Sequence, residues 1–161
     1  MASRIIRIDH FYGFHYGISP SREIIRAINN LLKVLSKRAK PIDASRLIKL
    51  ICQDNFRLYI LELDGKIVGM GSFFIKRTLM ENEALIEDVV IMQELEGRGL
   101  GTMMGEYLIA RAKEEGATAI ELTSRPEREK GNALWLKLGF KKIGTKIVNG
   151  REKNIYRLEF N

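Results

Sequence analysis

Cysteine is nearly absent from this sequence, with Cys52 the only one among 161 residues. A single thiol excludes an internal disulfide and favours a reducing compartment, so we expect a cytoplasmic protein. Long apolar runs are also missing, and none approaches the ~20 residues that a membrane span needs. Residues 1–7 lack the apolar stretch and cleavage site of a secretory signal, and we expect no membrane partner.

Histidine is equally scarce, and both copies, His10 and His15, fall in an aromatic, glycine-containing segment at 9–18. Two histidines without a nearby group of carboxylates or thiolates make a poor metal site. We therefore expect no bound metal and assign both side chains to packing or to the surface. Tyr12 and Tyr16 of the same segment are assigned to packing, with an acceptor pocket as the alternative.

The charges that are present are unbalanced. Lysine and arginine outnumber aspartate and glutamate by 27 to 20, which gives a formal net charge of +7. Such an excess favours anionic partners, namely phosphorylated cofactors, acidic proteins or nucleic acid. The densest basic cluster, at residues 33–40, falls where a helix should end and complements the helix dipole. No basic motif has interleaved aromatic residues, so nucleic acid is not an expected partner.

Local turn chemistry marks where helices and strands begin and end. Ser19 and Pro20 predict the start of the first helix, as cap and first helical residue, and Asp43 predicts the start of the second. The pairs Asp64-Gly65 and Asn149-Gly150 are typical of two-residue hairpin turns. Between these signals, strict alternation of apolar residues predicts strands, and spacings of three and four predict helices.

The resulting element order is β-α-α-β-β-β-α-β-α-β-β, in one domain covering residues 1–161. Residues 84–92 form an apolar strand that we predict to be buried on both faces. A helix from 101 to 115 connects it to a strand at 119–123, which implies a right-handed crossover and a parallel pair. Hairpins join the other strands, so we predict a mixed α/β sheet.

Three glycines alternate where the apolar strand gives way to the helix: Gly97, Gly99 and Gly101. Without Cβ atoms the backbone can approach a ligand closely, and the free N–H groups at the start of a helix bind anions. A diphosphate is the ligand that we expect there. The spacing excludes the dinucleotide fingerprint, whose third glycine would be Thr102, and the nucleoside-triphosphate loop, which needs Gly-Lys-Ser/Thr.

On these residues the chain resembles the GNAT superfamily of acetyl-coenzyme A-dependent N-acetyltransferases. The family's signature, Gln/Arg-x-x-Gly-x-Gly/Ala, corresponds to Glu-Gly-Arg-Gly-Leu-Gly at 96–101. A second match joins Asn132 and Trp135 to the Leu-Gly-Phe ending at 138–140, and the hairpin at 63–69 is similar to the family's second and third strands. The resemblance implies a GNAT-type mixed sheet of about seven strands with four helices, splayed between the fourth and fifth strands.

The same resemblance implies how acetyl-CoA, the expected co-substrate, would be held. Its pantetheine arm would lie between the splayed strands, and its diphosphate would rest on the amides of the glycine turn. An asparagine would reach the arm from the other side. The residues carried over to cofactor binding are Val89, Val90, Ile91, Gly97, Arg98, Gly99, Leu100, Gly101, Thr102, Asn132 and Trp135.

Two residues depart from the family pattern. Glu96 occupies a position that is normally Gln or Arg, and a carboxylate beside a diphosphate is unfavourable unless it points away or is offset by Arg98. Trp135 occupies a position where many members have a tyrosine that serves the leaving thiolate. Tryptophan donates an N–H but has no usable acidic proton, so it would line the cofactor groove and the general acid is not identified.

Glu87 and Asp88 form an acidic pair inside the apolar strand. Adjacent strand residues point to opposite faces, and an unpaired carboxylate in a core is too costly, so the two cannot both lie in core. The pair is placed as in the glucosamine-phosphate acetyltransferases of the superfamily, and Glu87 is our candidate general base. The alternative is a structural ion pair between Glu87 and a neighbouring basic residue. Asp88 is assigned a structural role.

The predicted function is an N-acetyltransferase that moves an acetyl group directly from acetyl-CoA to a primary amine of a small molecule or protein. The alternative is a non-catalytic acyl-CoA-binding module, which Glu96 and Trp135 would favour. The sequence does not name the acceptor. A homodimer, which is common in the family, stays an open alternative.

Overall fold

A computed structural model describes residues 2–8 and 20–160 of the protein. The aromatic segment at 9–18, with its histidines and tyrosines, lies outside the described residues. None of the helices within the described ranges is long and apolar enough to cross a bilayer. The elements are β1 (Ser3–Ile8), α1 (Arg22–Leu35), α2 (Ala44–Ile51), β2 (Phe56–Leu63), β3 (Lys66–Arg77), β4 (Asn82–Ile91), a 3-10 turn (Gln93–Leu95), α3 (Leu100–Glu114), β5 (Ala119–Ser124), α4 (Glu129–Lys137), β6 (Lys141–Val148) and β7 (Arg151–Glu159).

The seven strands of the described residues form one sheet in the order β1-β2-β3-β4-β5-β7-β6. β4 and β5 run parallel, whereas the pairs β1–β2, β5–β7 and β6–β7 are antiparallel. This mixed sheet and its helices confirm the predicted fold class. The parallel register pairs Glu83–Ile86 with Ala119–Leu122. It therefore covers only the first part of β4, as a splay between the fourth and fifth strands requires.

Both predicted hairpin turns are present. Asp64 and Gly65 have φ values of 48° and 78°, and Asn149 and Gly150 have φ values of 51° and 72°. Positive φ at both central residues matches the twist of the adjoining strands, and Asn, Asp and Gly tolerate it best. These four residues therefore determine how β2 connects to β3 and how β6 connects to β7.

The first helix starts later than predicted. Ser21, not Ser19, is the N-cap of α1, because its hydroxyl accepts a hydrogen bond from a first-turn amide at 3.2 Å. Pro20 precedes this cap, and Ser19 lies outside the described residues. Asp43 caps α2 as predicted, with its carboxylate accepting from a first-turn amide at 2.8 Å. Two serines flank Pro20, and only the hydrogen bond distinguishes the one that caps.

The chain divides into two compact units. The first contains Met1–Ser72 with Asp88–Met104, and the second contains Phe73–Glu87 with Gly105–Asn161. Each unit has its own buried apolar side chains. They include Leu31, Leu47 and Leu61 in the first unit and Phe73, Leu108 and Ile120 in the second. The assignment of residues 1–161 to a single domain stays a prediction.

Candidate cofactor and active site

The glycine turn, residues 96–101, follows the 3-10 turn and leads into α3. Gly97 and Gly99 have φ values of 79° and 78°, in the left-handed region that residues with a side chain rarely adopt. Among the described residues, a Cβ atom added at either position would meet nothing within 4 Å. In this part of the chain, backbone conformation rather than lack of space therefore requires glycine.

The amides of this turn are available to a ligand. The first backbone hydrogen bond at the start of α3 runs from the Met103 amide to the Gly99 carbonyl at 3.0 Å. Within residues 2–8 and 20–160, no backbone carbonyl accepts from the amides of Gly97 to Thr102, as expected for N–H groups that precede the helical ladder. With the positive end of the helix dipole behind them, these donors fit a diphosphate.

Two charged side chains belong to the same turn. Glu96 and Arg98 are both exposed. Glu96 ends the 3-10 turn, and its amide donates to the Gln93 carbonyl at 3.2 Å. Because the Glu96 side chain is exposed, water and salt screen the repulsion that it would exert on a bound diphosphate.

Residues Val89–Ile91 end β4, and β3 lies close along one of their edges. A Cβ atom added to Gly69 would come within 2.6 Å of the Ile91 Cδ1 atom and 3.1 Å of the Val90 carbonyl oxygen. β5 pairs only with Glu83–Ile86, so the other edge of Val89–Ile91 has no ladder partner among the described strands. The backbone groups on that edge are the ones that a pantetheine arm would bond.

Glu87 and Asp88 are both exposed. The prediction that this strand is buried on both faces is therefore wrong at these two positions, because the chain keeps both carboxylates in contact with water. Asp88 has a φ of 51°, an unusual conformation for a residue with a side chain that costs about 1–3 kcal/mol and is concentrated at functional sites. The assignment of Glu87 as general base stays a prediction.

Asn132 lies in the first turns of α4. Its side-chain amide donates to the carbonyls of Arg125 and Pro126, both at 3.1 Å, and so anchors the loop that follows β5. Its Oδ1 atom is buried and has no hydrogen-bond partner among the described residues. A buried acceptor is rarely left unpaired. The amide N–H of a ligand such as the pantetheine arm is a donor of the kind that would satisfy it.

Trp135 is only 6% exposed. Its ring meets Phe140 edge-on, with the ring centroids 5.4 Å apart at 70°. α3 lies close to the same ring, since a Cβ atom added to Gly105 would be 3.5 Å from Trp135 Cζ3 and 2.4 Å from Leu138 Cδ1. Trp135 therefore packs in the core of the second unit. Its predicted contact with the cofactor stays a prediction.

One ionic cluster was not anticipated from the sequence. Glu83 of β4 is buried, and its carboxylate accepts from Arg157 Nη1 at 2.6 Å and from Lys76 Nζ at 3.1 Å. The hydrogen bond from Arg157 lowers the pKa of Glu83, although burial opposes this effect. The same bond raises the pKa of Arg157. The cluster joins side chains of β3, β4 and β7, and only the strand order brings these three residues together.

Comparison with known proteins gives the family. Residues 25–140 match the model of the Acetyltransferase (GNAT) family. This match covers well over half of the 161 residues, and the protein belongs to that family. The predicted superfamily and the acyltransferase class are thereby confirmed.

One curated relative is the tRNA(Met) cytidine acetyltransferase TmcA of Aeropyrum pernix. The two proteins are 26% identical over 145 residues, which cover 77% of this chain and 20% of that protein. The chain therefore spans about a fifth of the length of this relative.

Solved structures with the same fold span the whole chain. A GNAT-family acetyltransferase from Streptococcus pneumoniae has a TM-score of 0.75 at 17% identity, with 99% of this chain and 100% of that chain covered. Glucosamine-6-phosphate N-acetyltransferase from Arabidopsis thaliana has a TM-score of 0.73 at 18% identity, with 92% and 98% covered. At these identities the likeness concerns the fold.

Proposed function

We propose that the protein transfers an acetyl group directly from acetyl-CoA to a primary amine of a small molecule or protein. The observation that carries this proposal is the row of amides from Gly97 to Thr102, which no backbone carbonyl of the described residues occupies. Acetyl-CoA would supply an activated acyl thioester. The residues that would hold it are Val89, Val90, Ile91, Gly97, Arg98, Gly99, Leu100, Gly101, Thr102, Asn132 and Trp135.

Each group of the chain has a separate task in this proposal. The glycine-turn amides bind the diphosphate, and the unpaired edge of Val89–Ile91 aligns the arm. Glu87 takes the proton from the acceptor nitrogen, because an amine with pKa ~10.4 is mostly charged at neutral pH. The neutral amine then attacks the thioester carbonyl, the new C–N bond forms as the C–S bond breaks, and the departing thiolate takes the second proton from the nitrogen. A thiolate with pKa ~8.5, by analogy with cysteine, leaves without a strong acid, which suits a buried Trp135 in place of a tyrosine.

Calorimetric titration with coenzyme A tests the carrier site. We expect the wild type to bind, and we expect Gly99→Val to weaken binding at least ~10-fold, because valine strongly disfavours positive φ. Gly65→Val is the matched control, since Gly65 has the same φ of 78° and equally open surroundings, but lies in a hairpin turn. Equal loss in both variants, or no binding by the wild type, would remove the proposed site.

Thiol release from acetyl-CoA in the presence of a panel of amines separates an enzyme from the non-catalytic module. Turnover with at least one amine supports the transferase. Binding of coenzyme A without turnover on any amine or RNA would favour the acyl-CoA-binding module.

A second candidate acceptor is the exocyclic amino group of a cytidine in RNA. The relative from Aeropyrum pernix favours it by its name and by its 26% identity, and the net charge of +7 suits a polyanion. That amino group is conjugated with the pyrimidine ring and is uncharged at neutral pH. Transfer to RNA should therefore depend little on pH above neutrality, whereas transfer to an aliphatic amine should rise with pH.

Acetyl-CoA labelled in the acetyl group distinguishes the two acceptors. The protein is incubated with a transfer-RNA transcript in one reaction and with aliphatic amines in another, and the label is located after nucleoside digestion. Label in acetylated cytidine supports the RNA acceptor. Label in the amines alone supports the primary proposal.

Four coarser assignments accompany this function. The single Cys52 supports a cytoplasmic location, and we propose one domain covering residues 1–161 that uses no metal. A homodimer is proposed because homodimers are common in the family. Sedimentation at several protein concentrations tests the homodimer, and insensitivity of the acetyl transfer to a chelator tests the lack of a metal.

A further inference from the structure

The hairpin of β6 and β7 continues beyond the end of β5. The last pair between β5 and β7 is Ser124 with Asn154. Beyond it, Lys153, Glu152 and Arg151 pair only with Lys146, Ile147 and Val148 of β6. Residues 146–153 therefore form a two-stranded extension, which we call the basic ribbon.

The two faces of the basic ribbon differ in charge. Directly opposed residues of an antiparallel pair share a face, and so do residues two apart in one strand. Lys146, Lys153 and Arg151 consequently lie on one face, with Val148 opposite Arg151. Glu152, the sole acid of the ribbon, lies on the other face beside Ile147, which is 69% exposed.

The positive charge of the second compact unit is concentrated in this hairpin. That unit contains fourteen basic and eleven acidic residues, which gives a net charge of +3. Residues 141–153 contain five basic residues and one acidic residue, a net charge of +4. The rest of the unit therefore has a net charge of −1. The positive charge of the unit is thus localised in the hairpin and is not spread evenly.

The charges on the basic face of the ribbon are poorly compensated within the protein. Lys146 Nζ lies 3.9 Å from Glu121 Oε1, at the limit of an ion pair, and its side chain is 46% exposed. In residues 2–8 and 20–160, neither Arg151 nor Lys153 makes an ion pair. The three ribbon cations therefore remain available to an external anion.

We propose that the basic face of residues 146–153 binds the phosphodiester backbone of RNA. The choice of RNA rests on the second acceptor candidate above. A paired ribbon holds its cations at regular intervals, about 7 Å along a strand and about 5 Å across the pair, so that several phosphates are contacted at once. The two lysines and the arginine of this face bind phosphate charge, and phosphate contacts carry no sequence information. Binding is therefore independent of sequence and sensitive to salt.

The target on the RNA is its single-stranded part. Loops and ends leave the phosphodiester backbone open on more sides than a helix does. The Asn149-Gly150 turn at the tip, with φ values of 51° and 72°, places no bulky side chain in the path of the strand.

Fluorescence anisotropy with a labelled oligouridine tests this surface without acetyl-CoA. Three phosphate contacts on a single strand predict a slope of about −2 in log affinity against log salt, or a loss of about 20-fold between 50 and 200 mM. The triple variant Lys146→Gln/Arg151→Gln/Lys153→Gln should lose at least ~10-fold in affinity at the lower salt concentration and most of that slope.

A control variant removes the same charge elsewhere. Lys33→Gln/Lys37→Gln/Arg38→Gln also lowers the net charge by three. The three substituted residues belong to the basic cluster at 33–40 and are all exposed. It should change the affinity less than ~3-fold. Equal losses of affinity in both variants would show a general charge effect and would overturn the proposal. Preferential binding of polyglutamate over oligouridine would also overturn it, because it would indicate an acidic protein partner.

Coenzyme A binding is measured for both variants to establish that they fold. A third variant, Lys146→Arg/Lys153→Arg, keeps the positive charge and should keep the RNA affinity of the wild type. Failure of RNA binding with intact acetyl transfer to a small amine would sink this proposal alone. RNA binding without any acetyl transfer would leave the ribbon standing and remove the transferase proposal.

Discussion

Two glutamates four residues apart in β4 have opposite surroundings. Glu83 is 7% exposed and is bound by Arg157 and Lys76, whereas Glu87 is exposed. The difference follows the register: β4 pairs with β5 through Ile86 and no further. Where β4 is paired with β5, a buried carboxylate needs cationic side chains as partners. Where the pairing ends, an acid of the same type is exposed to solvent.

Among the variants that test this comparison, Glu87→Gln should have the largest effect, and it should act on the rate of acetyl transfer. Transfer to an aliphatic amine should fall ~100- to 10,000-fold near neutral pH, because a positioned general base contributes about that much. Part of the activity should return at high pH, where the amine loses its proton to water. Initial rates over a pH series, measured with the acetyl donor at saturation, provide the test.

Asp88→Asn is the matched control for this variant, since it removes the adjacent exposed carboxylate. It should keep its transfer rate within ~10-fold of the wild type. If Glu87→Gln transfers as fast as the wild type at every pH, Glu87 is not the base.

Glu83→Gln should act on stability instead of turnover. It removes the negative charge that faces the guanidinium of Arg157 at 2.6 Å, and we expect a loss of roughly 2 kcal/mol. This is below the ~3–5 kcal/mol of a fully buried broken pair, because the Arg157 side chain is 23% exposed. Urea unfolding at neutral pH measures the loss, and the activity of the folded fraction should be near that of the wild type.

Glu83→Leu/Arg157→Leu, which replaces both partners by apolar side chains, provides the comparison for this variant. It should recover much of the lost stability, because both members of the buried pair are then removed, and Lys76 and Glu159, which lose a partner, have side chains that are 53% and 72% exposed. A double variant less stable than Glu83→Gln would contradict an account based on an unpaired charge.

The stability that Glu83 contributes should depend on pH in one direction. Its pKa is lowered in the folded state, chiefly by the hydrogen bond from Arg157, so folding favours the ionised form. The contribution is complete above the unfolded pKa of ~4.3 and is lost as the pH falls through the lowered folded value. The difference in unfolding free energy between wild type and Glu83→Gln should be constant from about pH 7 to 5 and shrink below about pH 4.

Lys76→Gln should have the smallest effect. Lys76 donates to the same carboxylate at 3.1 Å, but its side chain is 53% exposed. Exposed ion pairs contribute about 0–1 kcal/mol, and the shift in the urea midpoint should be well below that of Glu83→Gln. A loss as large as that of Glu83→Gln would show that the lysine, not the arginine, anchors β4.

The parts of the fold that could be predicted are those that depend on few neighbouring residues. Asp64-Gly65 and Asn149-Gly150 specify their turns by their own conformational preferences, and both are observed. The cap of α1 was assigned to Ser19 rather than Ser21, because either serine satisfies the local pattern. The local sequence cannot distinguish between two candidate N-cap serines, because only the hydrogen bond in the folded structure differs between them.

The site was predicted unevenly for the same reason. The glycine spacing predicts a turn that a ligand can approach closely, and the structure adds that Gly97 and Gly99 have positive φ values. The conformation of Asp88 has no such signal, because aspartate adopts ordinary strand geometry as readily. The partner of Glu83 is 74 residues away at Arg157, and its identification needs the strand order. The basic ribbon likewise arises from the cross-strand register.

Gly69 lies close behind the part of β4 that is proposed to hold the pantetheine arm. A methyl group there would lie 2.6 Å from Ile91 Cδ1 and 3.1 Å from the Val90 oxygen, so even alanine would press on the strand that is proposed to hold the arm. Displacements approaching 1 Å can cost an enzyme ~100-fold in rate. If the proposed function holds, the missing side chain at Gly69 therefore controls the position of Val90 and Ile91 and limits which substitutions the neighbouring strand can accept.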